Sequence, residues 1–187
     1  MRNPRVSLRP PSHSDVAELA ELGAVSRRLH RPWLTAPATP EAVEQWLDRA
    51  SGDRAASFVA CRREDGAIVG AFNLSEIVRG AFQSCYSSYY VHAGHAGKGY
   101  MTEGLQLLVR HAFGPMGLHR IEANIQPGNT ASIALARRAG FRLEGVSPRY
   151  LKIGGRWRDH ERWAILADEW RDRKESRNVL ETALKPR

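Results

Sequence analysis

The chain switches between two hydrophobic rhythms, a period of two and a period near 3.6, and the switches divide it into elements. Val6 to Arg9 (VSLR) alternates apolar and polar positions, which predicts a short strand ended by Pro10 and Pro11. Ser14 or Asp15 then caps a helix carrying Val16, Leu19, Leu22 and Val25 at helical spacing. His30 to Pro40 (HRPWLTAPATP) is a proline-broken loop. Pro40 opens a second helix with Ala42, Val43, Trp46 and Leu47 on one face. A meander follows. Ser57 to Arg62 reads as a strand, Asp65-Gly66 as its hairpin turn, Ile68 to Val78 as the returning strand, and Ser84 to His92 as a third strand beyond a turn at Gly80.

From about Gly99 to Phe113 the spacing turns helical again, with Met101, Leu105, Leu108 or Val109, and Ala112 on one side. Ile121 to Ile125 is the next strand, and Asn129 caps a short helix that ends at Arg138 with Gly140 as its stop. Phe141 to Ile153 and Trp157 to Leu166 form two strands around Gly154-Gly155. Helices and strands therefore mix around one sheet, an α/β single domain, with parallel pairing expected wherever a helix intervenes. The domain is expected to span residues 1–170. Residues 171–187, with Leu180 and Leu184 at i,i+4, read as a terminal helix or tail.

Length and composition narrow the class. The 187 residues, 42% hydrophobic and 26% charged, suit one globule with a sizeable core. No run approaches the roughly 18 apolar residues of a membrane helix, and MRNPRVSLRPPSHSD lacks an apolar signal core, so neither membrane insertion nor secretion is expected. Cys61 and Cys85 are isolated and lack metal-ligand spacing, which fits two thiols in a reducing cytoplasm. The net charge of +8 allows an acidic partner such as a nucleic acid, the ribosome or a phosphate-bearing cofactor, but the basic residues are scattered and do not choose among them.

The candidate chemistry lies in GKGYMTEG, Gly97 to Gly104, where the third meander strand runs through a glycine turn into a helix. Free amides at a helix start, aligned with its dipole, attract an anion. Gly97 and Gly99 permit backbone shapes that a Cβ forbids, and Lys98 can add a flanking charge. The stretch is neither of two familiar phosphate loops. A P-loop needs Ser or Thr after its lysine, and Gly99 stands there. A dinucleotide fingerprint needs Gly or Ala where Thr102 stands.

Taken together, GKGYMTEGL (97–105), HRIEANIQPGNTASIALARRAGFRLEG (119–145) and YLKIGGRWRDH (150–160) resemble the GNAT superfamily of acetyl-CoA-dependent N-acetyltransferases. They are most similar to its RimJ/RimL-type branch of ribosomal-protein alanine N-acetyltransferases, and IVRGAFQSCY (77–86) resembles the RimJ side. The resemblance spans roughly residues 5 to 166. It implies a central mixed, strongly twisted sheet of about six or seven strands with helices on both faces. It also implies acetyl-CoA as donor, bound at its pyrophosphate by the amides of about Gly97, Lys98, Gly99, Tyr100, Met101 and Thr102. The pantetheine arm would lie along Tyr90, Val91 and His92 like an added strand. Asn129 and Ser132 match the branch's Asn-x-x-Ser near the thioester, although Asn129 also serves as a plain helix cap. Two positions of the loop depart from the family form, Ala96 at its Gln/Arg place and Met101 at its last small-residue place, which leaves the loop one side-chain contact poorer.

Direct acetyl transfer needs a neutral amine, an oriented attack and a proton for the departing sulfur. Glu76, on a central strand, is the first candidate for the base and Glu103 the second; Ser132 could donate to the thiolate, and Tyr150 could act as an acid or position the substrate. His92 and His95 lack the further ligands of a zinc site, so no metal is expected. Asp159-His160 resembles a dyad, but strand neighbours face opposite ways, which favours a structural role. An α-amine, with a pKa near 7.7–8.0, makes smaller demands than a lysine near 10.4. The expected acceptor is therefore a protein N-terminus, with ribosome association possible on charge grounds; a small amine such as an antibiotic or polyamine, or an acyl-CoA-binding module without turnover, are the rivals. Monomer and homodimer stay open.

Overall fold

The structure, a computed structural model, describes residues 4–31, 33–49 and 51–171. The expected helix or tail around Leu180 and Leu184 lies outside the described residues. In chain order the elements are β1 (Val6–Arg9), α1 (Val16–Val25), α2 (Arg27–His30), α3 (Pro40–Arg49), β2 (Ser51–Gly52), β3 (Ala55–Arg62), β4 (Ile68–Val78), β5 (Ser84–Val91), α4 (Tyr100–Phe113), β6 (Arg120–Ile125), α5 (Thr130–Ala139), β7 (Arg142–Ile153) and β8 (Arg156–Leu166). Most of the expected elements are present. The expected loop from His30 is entered through the one-turn helix α2, and β5 stops one residue short, at Val91.

The strands form one mixed sheet in the order β1-β3-β4-β5-β6-β8-β7, with the two-residue β2 beside β3. Helices pack on both faces. Phe58, Ala60, Phe72 and Leu74 point to one side, where they meet Leu105, Leu108, Val109 and Ala112 of α4. Val59, Cys61 and Ala71 point to the other, against Leu19 and Leu22 of α1 and Val43 of α3. A bulge between Ala60 and Cys61 skips Val69 on β4. The extra residue lets Ile68 and Ala71, three apart, share the α1 side, while Val69 joins the α4 side. Two glycines allow α4 to sit close: a Cβ on Gly104 would lie 2.7 Å from Phe72 Cε2, and one on Gly70 would lie 2.5 Å from Met101 Sδ.

Two pairings set up the site. The β5-α4-β6 crossover gives the expected parallel pair. The β6-α5-β7 crossover does not, because β8 folds back between them and pairs antiparallel with both. β7 still runs parallel to β6, one strand removed. More consequential is the β5–β6 pair, whose register ends at Tyr86 opposite Glu122, although the strands continue to Val91 and Ile125. Beyond Tyr86 they part, and the sheet opens into a wedge-shaped gap.

Candidate active site

The gap and its surroundings form a cleft of about 590 Å³. Its floor is Tyr89, Tyr90 and Val91 of β5. One wall is the 95–102 turn, the other is Asn129 to Arg138 of α5, and Leu29, His30, Trp33 and Leu34 close the top. A second compartment of about 160 Å³ continues it past Trp33, Leu34, Tyr89, Asn129 and Ser132 toward Ser88, Asn124, Ile153 and His160. Among the described residues, no Asp or Glu lines either compartment.

The turn has the shape of an anion cradle. Gly97 and Gly99 sit at φ +74° and +85°, the left-handed region that glycine enters without strain. The amides of Gly97, Lys98, Gly99, Tyr100 and Met101 have no hydrogen-bond partner among the described residues, whereas that of Thr102 is taken by the Gly99 carbonyl at 3.1 Å. Such a run of free N–H groups at the start of a 14-residue helix is a ready site for phosphate oxygens. Arg5 braces the turn from outside. Its Nη2 donates to the Lys98 carbonyl at 2.9 Å, its Nε donates to Glu103 Oε1 at 2.7 Å, and its guanidinium lies 4.7 Å from the centre of the Tyr100 ring.

On β5, the His92 amide bonds to Val69 of β4, so alternation turns the amide and carbonyl of Val91 toward the gap. His30 Nε2 meets them there, 2.9 Å from the carbonyl oxygen and 3.3 Å from the amide nitrogen. Burial holds the His30 pKa below its ordinary 6.5, so the ring is neutral at pH 7. At the gap's inner end, Asn129 Oδ1 accepts from the Ser132 amide at 3.2 Å, and the Tyr89 hydroxyl donates to the Ser132 carbonyl at 3.4 Å. Burial pushes the Tyr89 phenol up to about 12, which keeps it a donor.

Of the residues expected at the site, Tyr90, Val91, Gly97, Gly99, Met101, Thr102, Asn129 and Ser132 line the cleft. His92, Lys98 and Tyr100 do not: His92 Nδ1 accepts from the Gly94 amide, the exposed Lys98 is held by its carbonyl, and Tyr100 stacks under Arg5. Neither candidate carboxylate reaches the cleft. Glu76 sits at φ +47°, in the irregular stretch between Ser75 and Val78, and is exposed and ion-paired with Arg54. Glu103 is engaged by Arg5. Tyr150 does not line either compartment; it lies edge-on to His160 with the ring centres 6.2 Å apart. The Asp159-His160 pair splits as strand geometry requires: Asp159 Oδ1 accepts from the Arg149 amide at 2.7 Å, and His160 is buried. Sequence reading missed His30, Trp33, Arg138 and Asn124. Asn124 carried no signal of its own, because in the alternation of IEANI it shares the polar phase with Glu122.

The family model for the acetyltransferase (GNAT) domain matches residues 5–142, and the chain belongs to this family. Its relatives narrow the branch. The probable N-acetyltransferase YjcK of Bacillus subtilis (strain 168) is 37% identical over 124 residues, covering 66% of this chain and 68% of that one. The [ribosomal protein uS5]-alanine N-acetyltransferase of Escherichia coli (strain K12) is 41% identical over 103 residues, covering 55% and 53% of the two chains. Among solved structures, RimJ of Mycobacterium smegmatis in complex with CoA-disulfide superposes with a TM-score of 0.81 at 31% identity, over 88% of this chain and 83% of that one. The chain is thus an N-acetyltransferase with RimJ-like relatives, on a fold that uses acetyl-CoA.

Proposed function

We propose that the protein transfers the acetyl group of acetyl-CoA to the N-terminal α-amine of a protein. The residues present fit the donor. The five free amides from Gly97 to Met101 would hold its diphosphate, with Arg138 of the cleft wall and the exposed Lys98 adding positive charge. The Val91 backbone would pair with the pantetheine arm once His30 yields its place, and Ser132 would face the sulfur. When bound, the donor supplies an activated acyl group; the chain orients it and shelters the gap from water.

The observation that carries the choice of acceptor is the second compartment. It is small, and among the described residues no carboxylate lines it. A polyamine or aminoglycoside brings several positive charges and calls for an acidic pocket. A single amine at the head of a peptide, with a small first side chain, asks only for hydrogen-bond acceptors and room. The similarity to the uS5-alanine enzyme supports the same acceptor. A macromolecular substrate also suits the projecting β7–β8 hairpin. Arg149, Lys152, Arg156 and Arg158 are exposed on it, with no ion-pair partner among the described residues, and Trp157 is 60% exposed beside them. This surface would meet the ribosome electrostatically in the cytoplasm, and its binding would weaken with salt.

The test supplies acetyl-labelled acetyl-CoA and the purified protein to a ribosome-containing extract, with and without its small molecules. Label should enter a protein band and leave with its N-terminal residue. Label confined to the small-molecule fraction would refute the proposal.

A further inference from the structure

The second compartment holds two polar atoms that the fold leaves without partners. Asn124 of β6 lies opposite Arg162 of β8. His160 is two residues back along β8, so Asn124 and His160 leave the same face as diagonal neighbours, at a backbone separation of about 7–8 Å. Asn124 Oδ1 is buried with no hydrogen-bond partner. An amide oxygen left so is unfavourable, and a ligand N–H would satisfy it. His160 is 3% exposed and its Nδ1 lies 3.0 Å from the Arg158 carbonyl oxygen. That oxygen only accepts, so Nδ1 carries a hydrogen, and of the two ring nitrogens Nε2 is the one that can accept. No hydrogen bond reaches Nε2 from the described residues. Both side chains line the 160 Å³ compartment, which Glu76 and Glu103 do not reach.

We infer that Asn124 and His160 receive the acceptor nitrogen, Asn124 Oδ1 by accepting one N–H and His160 Nε2 by taking a proton. The inference rests on the acetyltransferase reading and on the acceptor's occupying this compartment. An amine arriving as ammonium gives one proton to Nε2. Its freed electron pair attacks the thioester carbonyl carbon and the C–N bond forms. The C–S bond breaks with its pair passing to sulfur, and a second proton from nitrogen ends on that sulfur. The products are the secondary amide and the thiol, and the imidazolium returns its proton to water as they leave. The titratable and charged groups on the elements packed about the ring are Tyr150 of β7, 6.2 Å away, Tyr86 of β5, Glu122 of β6, and Arg158 and Arg162 of its own strand.

The experiment uses the full chain, acetyl-CoA and a short peptide with a free N-terminal alanine. His160→Gln should lower kcat about 100-fold, the low end of proton-transfer contributions. Its CoA affinity and melting temperature should match the wild type. The acidic limb of the wild-type pH–rate profile should vanish in this variant, and added imidazole should partly restore His160→Ala. Asn124→Ala should raise KM for the peptide about tenfold with CoA affinity unchanged. Retention of more than about a third of kcat by His160→Gln, or a loss that imidazole does not restore in His160→Ala, would overturn the assignment. Should the variants unfold, nitrogen NMR of the wild type with CoA decides: adding peptide must move the Nε2 signal, and a fixed signal overturns it. Transfer by the wild type to a small amine alone would remove the N-terminal reading, and the variants would then be scored on that amine. Transfer to neither removes both.

Discussion

Replacing Gly97 by alanine isolates the backbone contribution of the cradle. A Cβ built there meets nothing within 4 Å, so the change adds no clash, only the strain of holding φ at +74°. For an L-residue that strain is about 1–2 kcal/mol. If the turn keeps its shape, the whole cost falls on folding stability. If it relaxes, the amides of Lys98 and Gly99 swing away, and CoA must restore the turn on binding. The affinity loss is then bounded by the same 1–2 kcal/mol, or about 5- to 30-fold. Asparagine tolerates the left-handed region better, so Gly97→Asn should recover most of either loss. Gly99 is a less clean site, because its Cβ would lie 3.0 Å from Arg5 Nη2, which holds the Lys98 carbonyl. Calorimetric titration with CoA, paired with urea unfolding, measures both quantities. Pantetheine, which lacks the diphosphate, should bind equally to wild type and variant. Unchanged CoA affinity together with unchanged stability in Gly97→Ala, or an asparagine as harmful as the alanine, would refute the cradle.

Three further outcomes can be measured. Ser132→Ala should lower kcat about tenfold with CoA affinity and stability nearly unchanged, because the helix cap uses the Ser132 amide and not its hydroxyl; steady-state kinetics and calorimetry check this. Gly104→Ala should destabilise the fold by about 1–3 kcal/mol, since its methyl would be driven into the fully buried Phe72; an unaltered urea midpoint would mean that α4 can shift. His30 has a folded pKa below its ordinary 6.5, so as the pH falls beneath 6.5 the unfolded chain binds the proton first and stability drops, levelling off below the folded pKa; urea midpoints at pH 7.5 and 5.5 should differ less in His30→Phe than in the wild type.

Local signals account for what was legible in the sequence. IVGAFNLSEIV fills β4 from Ile68 to Val78, and Gly140, at φ +101°, ends α5 where a left-handed stop was expected. The GKG turn could be read because only glycine makes both of its positive φ angles inexpensive. Pairing between distant strands was less accessible. Nothing in the order β6-α5-β7-β8 says that β8 will insert beside β6, yet that insertion brings His160 diagonal to Asn124. The alternation rule separated Asp159 from His160 correctly but could not show what lay on the buried side. Glu76 illustrates the converse. Its place on a central strand suggested the cleft, whereas an irregularity in pairing at Ser75–Val78 turns it to φ +47° and toward Arg54. The gap itself exists because β5 and β6 stop pairing after Tyr86, leaving the Val91 backbone without a strand partner on that side and met there by His30. A regular strand pattern predicts continued pairing there, so the feature that makes the backbone useful for binding is a departure from the regularity on which sequence reading depends.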